Sequence, residues 1–189
     1  MLTNKPMQKR RITELGRLDV EAFRKAEKMS LTVVLDNVRS FHNVGAVFRT
    51  ADAYRVERIV LCGMTAQPPA PEIHKTALGA EDAVAWTYES DTLEAVRKLK
   101  NEGYKVFAIE QAHGSTPLQN LGSVVREGEK FAVVFGHEVK GVQQEVVDAA
   151  DGCLELPQFG TKHSLNVSVT AGIVIWEFAQ KMMSFSPLQ

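Results

Sequence analysis

The sequence has little of what would identify several classes of protein. It contains only two cysteines in 189 residues. Cys62 and Cys153 lie far apart, each at the edge of an apolar run, which favours reduced core residues over a disulfide or a redox motif. No apolar run is long enough to span a membrane, and the polar, basic N-terminus does not resemble a signal peptide. We therefore expect a cytoplasmic protein with no membrane contact.

The chain also lacks a strong net charge, because its formal net charge is −1. A strongly basic surface over the whole protein is therefore not expected. The charge is unevenly distributed, since residues 1–30 contain eight lysines and arginines but four acids, and the remainder is acidic. A basic N-terminal arm of this kind can bind phosphates or can be a solvated tail, and charge alone leaves both interpretations open.

Common nucleotide and metal motifs are missing as well. The segment FGHEVKG, residues 135–141, has neither the Lys-Ser/Thr of a phosphate-binding P-loop nor the spacing of a dinucleotide fingerprint. The five histidines show no metal-ligand spacing, so no metal site is expected. An ordinary doubly wound enzyme for a small molecule would carry a nucleotide fingerprint after its first strand. That fingerprint is missing here, which argues against this class of enzyme.

What is present is an alternation of short apolar runs and helical patterns along most of the chain. Several runs are continuously apolar, which is typical of strands buried on both faces of a sheet. The pattern predicts an α/β fold, with a mostly parallel sheet and helices on both of its faces. We expect a basic N-terminal arm and short helix over residues 1–30, and one domain over residues 31–189. The predicted strands are Leu31–Leu35, Arg58–Leu61, Ala83–Tyr88, Lys105–Ile109, Phe131–Phe135 and Cys153–Leu156. The predicted helices are Asp19–Lys28 (with Asp19 as cap), Val44–Ala53, Pro71–Leu78, Thr92–Asn101, Gln143–Ala150 and Leu165–Met182.

Three polar segments follow predicted strands, at the edge where parallel sheets bind ligands. In the first, residues 36–52, Asn43 is a candidate helix cap and Arg49 is suited to grip a phosphate or carboxylate. In the second, residues 135–141, Gly136 permits a tight turn and Glu138 is placed to pair with Arg49.

The third segment runs from Leu154 to Trp176, LELPQFGTKHSLNVSVTAGIVIW. It predicts a strand, a polar loop and a helix that Ser164 caps. Asn166 lies just inside a run otherwise suited to burial, where an unpartnered amide is costly. Each segment also has a simpler interpretation. The first can be a capped helix with a snorkelling arginine, the second a polar turn, and the third a capped core helix. Unusual residues at three separate strand ends carry more weight than any one segment.

Together the segments resemble the three motifs of the TrmH (SpoU) family of RNA ribose 2′-O-methyltransferases, within the SPOUT superfamily. The motifs occur in the family's order across residues 31–180. The matching residues are Asn43, Gly45 and Arg49 for N-x-G-x-x-x-R, Gly136, Glu138 and Gly141 for G-x-E-x-x-G, and Leu156, Pro157 and Ser164–Val167 for apolar-Pro followed by S-L-N-V.

The resemblance implies a C-terminal trefoil knot, S-adenosylmethionine as cofactor, and a homodimer with the last helix and the first-motif helix at its interface. It implies that the backbone around Gly136, Leu156 and Leu165 holds the cofactor. It assigns activation of the ribose hydroxyl to Arg49, orientation of Arg49 and the substrate to Asn43 and Glu138, and the shape of the methyl site to Ser164 and Asn166. Because the pKa of arginine lies above 12, Arg49 is better suited to stabilise alkoxide charge or position a phosphate than to act as a base.

Some residues depart from the family pattern. His137 stands where many members have asparagine, Gln158 where methionine is frequent, and Arg55 where glycine is common. The chain has no separate substrate-binding domain of the kind some members carry, so we expect the domain itself, the basic arm and the dimer to recognise RNA. Compact members often modify tRNA, which favours tRNA as the substrate. The alternatives are rRNA as the substrate, or a non-catalytic RNA-binding member of the family.

Overall fold

A sheet of seven parallel strands forms the centre of the computed structural model, which describes residues 8–183. Every neighbouring pair in the sheet is parallel, so the predicted α/β fold with a parallel sheet is confirmed. The strands are β1 (Met29–Asp36), β2 (Val56–Cys62), β3 (Ala85–Glu89), β4 (Tyr104–Ile109), β5 (Thr116–Pro117), β6 (Lys130–Phe135) and β7 (Gly152–Glu155). Their order across the sheet is β3-β2-β1-β6-β4-β7-β5.

Helices connect most of the strands, as parallel pairing requires. They are α1 (Val20–Lys25), α2 (Phe41–Ala53), α3 (Pro71–Ala77), α4 (Ala80–Ala83), α5 (Thr92–Asn101), α6 (Gln144–Ala149) and α7 (Val167–Met182). Short 3₁₀ turns lie at Ile12–Glu14 and Leu118–Ser123. Within residues 8–183, no helix is both long and apolar enough to cross a bilayer.

Alternating residues of β1 supply the cores on the two faces of the sheet. Leu31, Val33 and Leu35 belong to the core that α2, α3 and α7 cover. Val34 belongs to the opposite core, which α5 and α6 cover. All four side chains are fully buried, as expected for a strand at the centre of a doubly covered sheet. With both faces closed, ligands have access chiefly at the carboxyl edge of the strands.

A buried carboxylate fixes that edge. Asp36, the last residue of β1, is fully buried. It accepts hydrogen bonds from Thr92 Oγ1 at 2.7 Å and Asn37 Nδ2 at 2.8 Å. It also accepts hydrogen bonds from the backbone N–H of Gln143 at 3.0 Å and from its side chain at 2.9 Å. These donors compensate the burial of the charge, and they tie β1 to the starts of α5 and α6.

The predicted elements are present, with ends displaced by at most three residues. One prediction was wrong about a cap, because Ser40 and not Asn43 caps α2, its Oγ accepting the backbone N–H of Asn43 at 3.3 Å. β3 begins at Ala85, later than predicted, since the residues before it form α4. β5 and the 3₁₀ turn Leu118–Ser123 lie between β4 and β6, where no strand or helix was predicted.

The N-terminal arm is described from residue 8 onward, so one of its cations, Lys5, lies outside the described residues. Asp19 caps α1 as predicted, accepting the backbone N–H of Ala22 at 2.8 Å. Phe23 is buried, and Arg24 donates to the carbonyl of Asp82 at 2.7 Å. The short helix is therefore packed onto the domain, and the proposed division at residue 30 stays a prediction.

Both cysteines are free. Cys62 is fully buried, and burial raises the pKa of its thiol to about 12. Cys153 is half-buried, and its Sγ donates to the carbonyl of Glu110 at 3.2 Å. Burial raises the pKa of Cys153 too, so neither thiol has the thiolate character of a reactive cysteine.

Candidate active site

A cavity of about 480 Å³ opens at the carboxyl edge of the sheet. Its walls come from the loops after three strands, which are residues 109–112 after β4, residues 135–142 around the end of β6, and residues 156–165 after β7. This volume is typical of small-molecule sites. The second and third polar segments of the sequence therefore meet in one cavity.

The loop after β6 folds so tightly that it requires glycine at two positions. A Cβ on Gly136 would lie 2.0 Å from the carbonyl carbon of Gly141 and 2.1 Å from the nitrogen of Val142. His137 and Gly141 exchange backbone hydrogen bonds of 3.1 and 2.9 Å, which close the loop. Gly141 has a φ of +68°, a conformation that other residues rarely adopt. Gly136 and Gly141 thus keep the backbone of this wall compact.

Glu138 joins the loop after β6 to the loop after β1. Its carboxylate accepts the backbone N–H of Ser40 at 2.9 Å and that of Arg39 at 3.2 Å. It also accepts Asn43 Nδ2 at 3.1 Å. Burial alone would raise the pKa of Glu138, but hydrogen bonds from Ser40, from its own loop, from Arg39 and from Asn43 together hold the pKa below its ordinary value. The carboxylate is therefore charged and already occupied by donors.

Asn43 extends this contact to the third segment. Its Oδ1 accepts a hydrogen bond from Asn166 Nδ2 at 3.1 Å. Asn166 Oδ1 in turn accepts the backbone N–H of Ser168 at 2.9 Å and its hydroxyl at 2.6 Å. Glu138, Asn43 and Asn166 therefore form one hydrogen-bonded chain, drawn from three segments of the sequence. We call these three residues the amide–carboxylate chain.

The chemistry of these groups fixes the direction of every hydrogen bond in the amide–carboxylate chain. An ionised carboxylate accepts and cannot donate, so Asn43 must present its amide nitrogen to Glu138. The Asn43 oxygen then faces Asn166 and requires a donor there. This leaves the Asn166 oxygen free to accept from the first turn of α7. One charge at Glu138 thus orients two amides and the start of a helix.

The structure corrects the predicted cap of the last helix. α7 begins at Val167, and Asn166 is the residue whose side chain accepts a first-turn N–H. Ser164 lies two residues earlier, exposed, and lines the cavity together with Leu165. Leu156, at the end of the β7 wall, lines it too. The amide of Asn166 is therefore explained by capping and by its contact with Asn43.

Arg49 lies away from this cavity, and the predicted pairing with Glu138 was wrong. Among residues 8–183 no ion pair joins the two side chains. Six residues along an α-helix correspond to a rotation of about 240°, so Arg49 and Asn43 point to different sides of α2. Arg49 is exposed and lines a separate hollow of about 230 Å³ between α1, α2 and α4.

Several cavity residues were not identified from the sequence. Glu110, just after β4, lines the cavity and accepts the backbone N–H of Gln111 at 2.9 Å and of Val142 at 3.1 Å. Gln111 donates from its side chain to the carbonyl of His163 at 2.6 Å. The sequence feature that could have identified Glu110 and Gln111 was their position at the carboxyl end of a predicted strand. Within the described part of the chain, no group of histidine, cysteine and acidic residues is arranged to hold a metal ion.

Residues 30–176 match the model of the SpoU rRNA methylase family. Among similar proteins is the tRNA (guanosine(18)-2′-O)-methyltransferase of Thermus thermophilus, 32% identical over 165 residues, which are 87% of this chain and 82% of that protein.

Solved structures show the same architecture. The TrmH/SpoU tRNA modifying enzyme of A. aeolicus matches with a TM-score of 0.74 and 26% identity, over 86% of this chain and 81% of that one. An AdoMet-bound rRNA methyltransferase from Sinorhizobium meliloti matches with a TM-score of 0.75 and 27% identity, over 86% of this chain and 61% of that one.

Proposed function

The chain belongs to the SpoU methylase family, and we propose that it transfers the methyl group of S-adenosylmethionine to a ribose 2′-hydroxyl of tRNA. The family, the reaction class and the cofactor predicted from the sequence are confirmed at this level by its relatives. The observation that carries the proposal is that two motif segments line one cavity and that the amide–carboxylate chain joins the third segment to them.

The cavity fits S-adenosylmethionine in size and in the character of its walls. Gly136 leaves no side chain between the cavity and the backbone of its loop, and Leu156 and Leu165 also line the cavity. We assign these three residues, with Glu110, to cofactor binding. The cofactor, when bound, supplies an electrophilic methyl group on its sulfonium. The trefoil knot that the family resemblance implies stays a prediction.

The amide–carboxylate chain positions groups and does not take up the proton of the ribose hydroxyl. Each Glu138 oxygen already accepts a donor, and its lowered pKa makes it a weak base. Asn43 and Asn166 hold the start of α7 against the loop after β6. Ser164 lines the cavity and shapes the site where the methyl group is transferred.

Arg49 is assigned to the ribose, where a guanidinium stabilises charge that develops on the oxygen or binds the adjacent phosphate. Since Arg49 lies outside the cavity of its own chain, we propose that it acts in the cavity of a second copy, in a homodimer. Exposed apolar side chains of α7 support this arrangement, because Val169, Ile173 and Trp176 lie along one stripe of the helix and are 51%, 39% and 42% exposed. α7 packs beside α2, the helix that carries Arg49.

tRNA is favoured because two relatives are named as tRNA-modifying enzymes. rRNA is the alternative substrate, supported by the Sinorhizobium meliloti enzyme. The basic arm, with Arg10, Arg11 and Arg17 exposed, supplies phosphate contacts for either RNA. A substrate of this kind is consistent with a cytoplasmic location, which also stays a prediction.

The test is transfer of radiolabelled methyl groups from S-adenosylmethionine to bulk tRNA and bulk rRNA, with heat-treated protein as control. Label in tRNA, recovered as a 2′-O-methylated nucleoside after digestion, is the expected result. Label in rRNA alone would establish the alternative substrate. No label in either RNA, with cofactor binding intact, would point to a non-catalytic RNA-binding member.

A further inference from the structure

Two large apolar side chains in the loops that bound the cavity are almost fully exposed. Phe159, in the loop after β7, is 97% exposed, and Val139, in the loop after β6, is 88% exposed. Val139 lines the cavity, and Phe159 follows Gln158, which also lines it. Single exposed apolar residues are common on protein surfaces. Two of them in neighbouring loops, one lining the cavity and one next to a lining residue, indicate a flat apolar ligand group there.

The charged groups around this rim are complementary to RNA. Lys140 follows Val139, Lys162 lies three residues after Phe159, and both are exposed. The carboxylates at the cavity, Glu110 and Glu138, accept backbone N–H groups of the protein and are therefore not directed at the solvent. The outward-facing rim therefore combines apolar surface with positive charge. A nucleotide has the same two parts, because a flat base is attached to a negatively charged backbone.

The geometry of a nucleotide places its base at this rim. The base is bonded to the ribose carbon next to the one that carries the 2′-hydroxyl, so it must lie close to any methyl group transferred in the cavity. We propose that Phe159 stacks on the base of the target nucleotide, with Val139 as a second apolar contact and Lys162 at the phosphate. This inference rests on the proposed function and assigns to it the residues that hold the target base.

The loop of Phe159 is built to admit such a ligand. Its main anchor is the hydrogen bond from Gln111 to the carbonyl of His163, 2.6 Å long. Across residues 158–165, no backbone N–H donates to a partner elsewhere in residues 8–183. The loop thus has few internal contacts to break when a base enters, and within residues 8–183 almost nothing covers its aromatic ring, which is 97% exposed.

The test compares Phe159→Ala, Phe159→Leu and Phe159→Tyr in methyl transfer to bulk tRNA. Loss of a stacked aromatic ring should lower kcat/KM for RNA roughly five- to 150-fold in Phe159→Ala. Phe159→Leu is the matched control, because it keeps an apolar side chain without a ring. Its kcat/KM for RNA should fall nearly as far as that of Phe159→Ala. Phe159→Tyr should stay within about threefold of the wild type.

Three results would overturn the assignment. Full activity of Phe159→Leu would show that the ring is not required. A parallel loss of cofactor affinity in calorimetry would make Phe159 a cover for the cofactor. A change of oligomeric state in ultracentrifugation would make it a contact between subunits.

A fluorescence measurement separates this inference from the proposed activity. Phe159→Trp should lose its added tryptophan emission when bulk tRNA binds, because a stacked base quenches the indole. Thr87→Trp, exposed on the edge strand β3, is the matched control and should keep its emission. If the wild type transfers no methyl group to RNA but Phe159→Trp is quenched, the proposed activity fails and the base contact stands. Emission unchanged in Phe159→Trp would overturn the base contact.

Discussion

Glu138 and Arg49 are the charged residues of the first two motifs, and they have opposite surroundings in the structure. Glu138 accepts hydrogen bonds from two backbone N–H groups and from Asn43. Arg49 is exposed beside a different hollow and makes no ion pair with Glu138. The cavity to which we assign the cofactor is therefore lined by residues of one chain. In the proposed homodimer, Arg49 of a second copy completes the part of the site that acts on the ribose.

The largest expected effect comes from removing the Arg49 guanidinium. Arg49→Ala should lower kcat for methyl transfer about a thousandfold, the scale for loss of a group that stabilises transition-state charge. The cofactor affinity should stay within about twofold in calorimetry, because Arg49 does not line the cofactor cavity. Arg49→Lys keeps the charge but not the planar guanidinium, so its kcat should lie between those of the wild type and Arg49→Ala. Loss of cofactor affinity in Arg49→Ala would contradict this division of the site.

Mixing two inactive variants distinguishes an Arg49 that acts in the cavity of its own chain from one that acts in the cavity of the second copy. Ala112→Trp, which fills a wall of the cavity, should abolish cofactor binding while leaving Arg49 intact. If Arg49 acts in the partner's cavity, a heterodimer of Arg49→Ala with Ala112→Trp has one complete site. Random mixing of subunits should then restore roughly a quarter of the wild-type activity. An inactive mixture in which heterodimers are present would place Arg49 and the cavity of the same chain together.

A smaller effect concerns the charge of Glu138. Its pKa is lower in the folded protein than its ordinary value of 4.5. A carboxyl of this kind stabilises the fold above its ordinary pKa, and that contribution is lost as the pH falls through the folded value. Glu138→Gln should therefore be less stable than the wild type at pH 7, by about 1 kcal/mol after allowance for solvent screening.

The difference should shrink below about pH 4.5 in urea unfolding followed by circular dichroism. Glu145→Gln removes the same charge from an exposed site on α6 and serves as the matched control. A deficit of Glu138→Gln that is the same at pH 7 and pH 4 would mean that the charge does not carry the effect.

The smallest effect separates the two candidate caps of α7. Asn166→Ala removes the cap and the donor to Asn43, so it should lower the free energy of unfolding by about 1 kcal/mol or slightly more. Ser164→Ala should change it by less than about 0.5 kcal/mol, since Ser164 is exposed and precedes the helix. The midpoints of urea unfolding measure both values. Equal losses for the two variants would restore Ser164 as a cap.

The elements of the fold could be predicted because apolar periodicity is a local property of the sequence. The strand FAVVF and the amphipathic pattern of Thr92–Asn101 each needed only a few neighbouring residues. The order of strands in the sheet could not be predicted, since it depends on pairing between distant segments. The cap of α2 was missed for a different reason. Ser40 and Asn43 are both good caps, and only the start of the helix at Phe41 decides between them.

The candidate site could be predicted as three motifs but not as an arrangement. The sequence indicated that Asn43, Glu138 and Asn166 belong near the ends of strands, and their hydrogen bonds agree with that. The spacing of six residues alone puts Asn43 and Arg49 on different sides of a helix, but a helix start predicted at Val44 left Asn43 outside the helix as its cap. Glu110 and Phe159 were missed, as neither belongs to a motif, and exposure is a property of the folded chain.

The span of the amide–carboxylate chain has a consequence for synthesis. Asn43 is separated from Glu138 by 95 residues and from Asn166 by 123. A ribosome therefore completes Asn43 long before it adds the two partners that orient its amide. A nascent chain that stops before Asn166 has β1 and α2 but lacks the third member of the amide–carboxylate chain. We expect fragments of this kind to bind the cofactor only weakly.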